Sequence, residues 1–218
     1  MKPAIKRRDL FSLLALVGVA GGASLWLRQT APIGRDVSRN HAAQTVLRDE
    51  AWPQGGPSDA NLTVVVFTDY QCPACRRAEP ALREAMERDG QVRIIYRDWP
   101  IFGPRSTLAA RAALAASYQG KYELFHRALM AEPWVLDDAT VRTVAASAGV
   151  SVPRLERDLA THRDEITAAL ARTRRDAFLL GVSGTPGYLI GALLVDGAQS
   201  ASRFTSAFRE ARRLQITG

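Results

Sequence analysis

The chain contains little cysteine and little histidine: two cysteines and three histidines in 218 residues. Two cysteines cannot form the set of disulfides that holds small secreted domains together. One CxxC pair with no second pair and no nearby histidine also cannot complete a tetrahedral zinc site. His41, His126 and His162 follow no metal spacing, so we expect them at the surface or at the edge of the core. The sequence therefore predicts no metal site and no cofactor.

The chain also lacks a large excess of charge outside its N-terminus. The net charge is +7, and residues 1–30 supply four of these charges. The remaining +3 lies on helices that mix Arg with Glu, which indicates a solvated surface and argues against nucleic acid as a partner. No internal repeat and no low-complexity segment is present. A chain of this length can bury the core of one domain with a sizeable insertion.

The N-terminus has the pattern of an export signal. Residues 1–9 are basic, and the uncharged apolar run Leu10–Leu27 follows. The Arg7-Arg8 pair resembles a twin-arginine (Tat) motif, with a plain Sec signal as the alternative. Residues 10–27 are also just long enough to anchor the chain in a membrane. Each alternative predicts a periplasmic or otherwise extracytoplasmic bacterial protein, soluble or anchored to the inner membrane, where a cysteine pair can turn over disulfides.

Hydrophobic patterning predicts an α/β fold. The β-branched run Leu62–Phe67, a helix at about 72–88 and a second apolar run at Val92–Arg97 predict a right-handed β-α-β unit. Residues 105–180 are typical of five consecutive helices. Two short apolar runs within residues 187–196 predict a hairpin, and a last helix follows it. We expect one mixed sheet, completed when the hairpin returns to pair with the first half.

These patterns predict four parts of the chain. Residues 1–30 are the signal peptide or N-terminal membrane anchor, and residues 31–51 are a linker that contains a short helix. The sheet domain comprises 52–104 and 182–218. Residues 105–181 are a helical domain inserted between its β-α-β half and its C-terminal hairpin and helix.

Cys72 and Cys75 lie where the first strand gives way to a helix. Unpaired amide groups and the dipole at a helix N-terminus favour a thiolate, so we expect Cys72 to be an exposed nucleophile. Cys75, one turn further on, is the expected shielded resolving thiol. Pro73 suits a first helical turn, because its missing N–H costs nothing there. The alternative is a pair of buried structural cysteines.

Thr185 and Pro186 form the second predicted element of the site. A proline at the start of a strand is compatible with a cis bond. In that conformation the Thr185 backbone would be free to pair with an extended substrate strand. The alternative is that Gly184–Gly187 is only a turn.

Glu79 lies four residues after Cys75 and therefore on the same helical face. It is a candidate to relay protons to the buried thiol. The alternative is a solvated glutamate that pairs with Arg76 or Arg83.

Taken together, these residues resemble the DsbA-like branch of the thioredoxin superfamily from about Trp52 to Leu214. The segments that carry the resemblance are Phe67–Cys75, Tyr96–Ile101 and Gly181–Gly187.

The resemblance implies a thioredoxin fold with a helical insertion and a redox disulfide between Cys72 and Cys75. It also implies a cis peptide at Thr185-Pro186 and a buried Glu79.

Two residues depart from the strongly oxidising members of that branch. Ala74 stands where those enzymes usually have a histidine, and Thr185 stands where they usually have a valine. Because less thiolate stabilisation makes a disulfide less oxidising, we expect a reduction potential between that of thioredoxin and that of DsbA.

Three functions remain open at this point. The first is an oxidase that gives its disulfide to exported proteins bearing thiols and exchanges electrons with a membrane redox partner. The second is a reductase or isomerase kept reduced by such a partner, and the third is a redox-inactive peptide-binding chaperone.

Overall fold

The structure is a computed structural model that describes residues 32–133 and 135–217. The predicted signal or anchor, including residues 10–27, lies outside these described residues. Within them, no helix is long and apolar enough to cross a membrane. Residues 34–217 belong to one compact unit, described below.

Six strands and eight helices make up the described chain. The strands are β1 (Arg35–Asp36), β2 (Gln54–Gly55), β3 (Leu62–Thr68), β4 (Val92–Asp98), β5 (Gly187–Ile190) and β6 (Leu193–Asp196). The helices are α1 (His41–Arg48), α2 (Pro73–Asp89), α3 (Pro104–Ser117), α4 (Tyr122–Ala131), α5 (Asp138–Ser147), α6 (Val152–Thr161), α7 (Arg163–Leu180) and α8 (Ala201–Thr217).

All six strands form one sheet in the order β1-β6-β5-β3-β4-β2. Strands β3 and β4 run parallel and are joined through α2, as the pattern predicted. Strand β5 runs antiparallel to β3, with Tyr188 opposite Val66, and β6 completes the hairpin. The predicted mixed sheet with a helical insertion is therefore confirmed.

Helices cover both faces of the sheet, because the central strands are apolar on both sides. On one face Val65 and Phe67 pack with residues of α1 and α7 in a single buried cluster. On the other face α8 lies over β5, where the Tyr188 and Phe204 rings meet edge to face at 4.9 Å. The C-terminal end of β3, which leads to the cysteines, is thus held from both sides.

The segment expected as a linker is part of the core. It contains the predicted helix, but β1 pairs with β6 at the edge of the sheet. Val37, Ala43 and Val46 are buried. The linker interpretation is therefore wrong for residues 34–51, because their apolar side chains complete one face of the sheet.

A buried arginine, Arg97, links the segment before β2 to the sheet. The Arg97 guanidinium lies 3.9 Å from the centre of the Trp52 ring and contacts Asp49 at 3.2 Å and Asp176 at 3.3 Å. Burial lowers the pKa of Arg97 to about 10, although both carboxylates oppose that shift. The cluster joins the N-terminal segment, β4 and α7 at one point.

Candidate active site

Cys72 caps the N-terminus of α2. Its own N–H donates to the Asp69 carbonyl at 3.1 Å, and its Sγ accepts the Cys75 N–H at 3.4 Å. Pro73 begins the helix, and Gly90 ends it in a left-handed conformation. The predicted position of the cysteines at a helix N-terminus therefore agrees with the structure.

The sheet brings Thr185 and Pro186 against Cys72. The Cys72 thiol donates to the Thr185 carbonyl oxygen at 3.3 Å, and the Thr185-Pro186 peptide is cis. A Cβ at Gly187 would overlap the Val182 side chain, so only glycine fits where the chain enters β5. Pairing of β5 with β3 thus joins the two predicted elements, which lie 113 residues apart.

Both cysteines are buried, each with 2% of its surface exposed. The expectation of an exposed Cys72 is wrong, because its sulfur packs against the Thr185 carbonyl. Pro73 is exposed and Ala74 is half-buried, and neither side chain can donate a hydrogen bond to sulfur. A substrate that reaches Cys72 has to displace the Thr185 contact.

Cys75 matches the expected resolving thiol in burial and protonation. Burial raises the pKa of Cys75 to about 12, and the neighbouring Cys72 adds to the shift. Hydrogen bonds from the Asp69 backbone and the Thr68 hydroxyl act in the opposite direction. Cys75 is therefore a neutral thiol at physiological pH.

Asp69 holds the cysteine loop to the loop after β4. Its carboxylate is 99% buried and accepts four hydrogen bonds. Oδ1 accepts from the Gln71 N–H and the Ser106 hydroxyl, both at 2.7 Å. Oδ2 accepts from the Ile101 and Phe102 N–H groups at 2.6 and 3.1 Å. These four bonds connect the cysteine loop, the loop after β4 and the start of α3 through one carboxylate.

Glu79 lies one turn below Cys75 and contacts a histidine instead of an arginine. Its side chain is 10% exposed, and Oε2 is 3.6 Å from Nε2 of His126. Burial alone would raise the pKa of Glu79, but His126, Arg83 and Arg127 together lower it. The solvated position of the alternative is therefore wrong; the charge of Arg83 acts on Glu79, but the contacting side chain is His126.

His126 is fully buried, so the expectation of a surface or core-edge position is also wrong. Its Nδ1 lies 2.9 Å from the Tyr70 hydroxyl, which itself lies 3.3 Å from the Tyr122 hydroxyl. Tyr122 donates to Asp98 Oδ1 at 2.9 Å. A chain of polar contacts therefore runs from Glu79 on α2, through α4 and the cysteine loop, to the end of β4.

Burial is the largest cause of the pKa shifts of Asp98, Tyr70 and Tyr122. It raises the pKa of Asp98 to about 6, against the opposing effects of His126 and two tyrosine hydroxyls. The pKa values of Tyr70 and Tyr122 lie well above the usual value for the same reason, and the charge of Asp98 adds to both shifts. At neutral pH the tyrosines are neutral donors.

Sequence reasoning missed His126, Tyr122 and Asp98. One available signal was spacing, since Tyr122 and His126 lie four residues apart on one helix face. The other was topology. Asp69 follows β3 and Asp98 ends β4, and the carboxyl ends of parallel strands meet at one edge of a sheet. Among the described residues, no group of three or more potential metal ligands is present.

Comparisons with known proteins agree with this geometry. A family model described as a DSBA-like thioredoxin domain matches residues 63–209. A thioredoxin-like oxidoreductase from Silicibacter pomeroyi DSS-3 is 38% identical, with a TM-score of 0.74, over 80% of this chain and 98% of its own. A periplasmic thioredoxin-like protein from Salmonella enterica serovar Typhimurium is 26% identical, with a TM-score of 0.69, over 78% of this chain and 96% of its own.

Curated relatives also match, although over a small part of their length. The Na(+)/H(+) antiporter NhaA 3 of Salinispora tropica is 32% identical over 72% of this chain, but only 24% of the antiporter is covered. The chain thus spans about a quarter of the length of the first curated relatives it matches. On the family match and the site geometry, the chain belongs to the DSBA-like thioredoxin domain family.

Proposed function

We propose that this protein is a thiol-disulfide oxidoreductase that acts outside the cytoplasm. It would carry a disulfide formed by Cys72 and Cys75 and donate it to exported proteins. The observation that carries the proposal is the contact of Cys72 Sγ with the Thr185 carbonyl, 3.3 Å away at a helix N-terminus. An extended substrate strand that pairs with the Thr185 backbone would bring its own sulfur to Cys72. The Thr185 carbonyl can accept either the Cys72 thiol or a substrate N–H.

The reaction begins with the oxidised protein. A substrate thiolate attacks Cys72 Sγ, a new S–S bond forms to the substrate, and the Cys72–Cys75 bond breaks. Cys75 leaves as a thiolate and takes up a proton, because its pKa of about 12 favours the thiol. A second substrate thiolate then attacks the substrate sulfur of the mixed disulfide and displaces Cys72. The substrate loses two electrons, the protein gains them, and a membrane redox partner removes them to restore the disulfide.

Two observations support the location. Residues 1–27 have the basic and apolar pattern of an export signal or anchor, by the Tat or the Sec route. One relative of the same fold is named as a periplasmic protein. A disulfide donor also needs a compartment in which thiols are not kept reduced.

A reductase or isomerase is the second candidate, and a specific feature of the site favours it. Cys72 Sγ accepts a hydrogen bond from the Cys75 N–H at the long distance of 3.4 Å. In the described part of the chain, it accepts none from a side chain. Ala74 cannot supply one. Weak stabilisation of a Cys72 thiolate makes the disulfide less oxidising.

The reduction potential and the redox state in cells separate the candidates. We expect a potential between about −270 mV, typical of thioredoxin, and about −120 mV, typical of DsbA. Thiol trapping in cells should find the pair mostly oxidised, and a mostly reduced pair would establish the second candidate instead. The Cys72→Ser variant should lose activity, with Ser147→Ala as the control. Full activity of Cys72→Ser in cells would indicate the redox-inactive chaperone.

A further inference from the structure

A groove lies beside the cysteine loop and takes no part in the reaction described above. It has a volume of about 600 Å³ and is bounded by the loop after β4, α3 and α7. Trp99, Ile101 and Leu170 provide its apolar lining, and Arg111 and Arg174 are its charged residues. We call it the α3–α7 groove. We propose that it binds an acidic segment of the protein substrate, an inference that rests on the proposed function.

The groove is connected directly to the cysteine loop. The N–H groups of Ile101 and Phe102 donate to the Asp69 carboxylate, and the Trp99 N–H donates to the Thr68 carbonyl at 2.7 Å. The Asp69 carbonyl in turn accepts the Cys72 N–H. A polypeptide held in the groove therefore contacts a wall that is fixed to the backbone of the reactive cysteine.

Charge complementarity identifies the occupant. In the described part of the chain, no Asp or Glu lines the groove, and Arg111 and Arg174 make no hydrogen bond or ion pair. Other arginines form ion pairs with carboxylates, as Arg142 does with Asp138 and Glu156. Two unpaired guanidinium groups in one groove provide donors that suit the carboxylates of Asp and Glu side chains.

The apolar wall adds a second requirement. Ile101 lines the groove and is 45% exposed, although its N–H is held by the Asp69 carboxylate. Covering the Ile101 side chain is favourable, so the bound segment needs an apolar residue next to its acidic ones. The occupant is thus an extended segment of a thiol-bearing protein with both kinds of residue. Once a mixed disulfide has formed at Cys72, this segment is held at a high local concentration.

The test compares reduced peptides that contain two cysteines and an Ile-Asp-Glu segment at several spacings from them. A second set carries Ile-Asn-Gln at the same places. Rates of disulfide transfer from the oxidised full-length protein are followed by acid quenching and mass spectrometry at low and high salt. The R111Q/R174Q variant removes both groove charges. The R157Q/R209Q variant removes two exposed arginines from α6 and α8 and serves as the matched control.

At the best spacing and low salt, the acidic peptide should react about fivefold faster than the amide peptide. This preference should disappear at high salt and in R111Q/R174Q, and it should remain in R157Q/R209Q. All three proteins should react equally with dithiothreitol, which does not need the groove. An acidic preference that survives in R111Q/R174Q, or no preference at any spacing while dithiothreitol still reacts, would refute the groove assignment alone. Failure to oxidise both the peptides and dithiothreitol would refute the proposed function as well.

Discussion

The Asp69 carboxylate offers the sharpest test of how the site is held together. In Asp69→Asn, one carboxylate oxygen becomes an NH2 group, which cannot accept a hydrogen bond. Either the pair Gln71 and Ser106 or the pair Ile101 and Phe102 then loses its acceptor. Since hydrogen bonds to a charged group contribute about 1.5–3 kcal/mol each, two lost bonds should cost about 3–6 kcal/mol.

Urea unfolding at pH 7, followed by circular dichroism, measures this cost if the slope m stays unchanged. Asp137→Asn is a matched control, because Asp137 is an exposed N-cap that accepts the Thr140 N–H at 2.8 Å. Asparagine caps a helix about as well as aspartate, so the control should lose less than about 0.5 kcal/mol. Ser106→Ala, which removes one of the four donors, should lie between the two variants.

A loss below about 1 kcal/mol in Asp69→Asn would contradict this reasoning. It would mean that the donors find other acceptors, and that the loop after β4 is not held by Asp69. The loss in Asp69→Asn could also have the expected size but vanish when Ser106→Ala is already present. The stabilising hydrogen bonds would then be those to Oδ1 alone.

Three further predictions concern thiol reactivity, pH dependence and the N-terminal segment. Because the pKa of Cys75 is about 12, its alkylation by iodoacetamide at pH 7.5 should be at least about 100-fold slower than that of free cysteine. Mass spectrometry of the reduced protein measures this rate. Comparable rates would contradict the shielding of Cys75. Glu79 has a lowered pKa in the folded protein, so its contribution to stability is present above its unfolded pKa and is lost as the pH falls through the folded pKa. His126→Phe should therefore destabilise the protein more at pH 7 than at pH 4 in urea unfolding, and Glu79→Gln in the same chain should restore part of the loss at pH 7; equal losses at both pH values would refute the pairing. Trp52→Ala should cost about 3–5 kcal/mol because Trp52 is buried just before β2, while Phe178→Ala, at an 82% exposed position, should cost less than about 0.5 kcal/mol; a loss near zero at Trp52 would mean that its ring does not contribute to the core.

Much of the fold was predictable because its signals are local. The predicted helical stretch ended at residue 180, and helix α7 ends there, since its C-terminus is marked by Gly181 in a left-handed conformation. The start of α2 after Cys72 was predictable for a similar reason, because a proline in the first turn marks a helix N-terminus. The short strands β1 and β2 were not predicted, since two residues carry no periodic pattern.

In the candidate site, too, the features that depend on neighbouring residues were predictable and the contacts between distant residues were not. The sequence alone determined that Cys72 and Cys75 begin a helix after a buried strand, because that arrangement depends on neighbouring residues. Only the tertiary structure decided that Cys72 is buried against Thr185, that Glu79 contacts His126, and that an unpaired arginine groove lies next to the cysteine loop. These contacts join residues far apart in the chain, and they depend on which strands pair and which helices pack together.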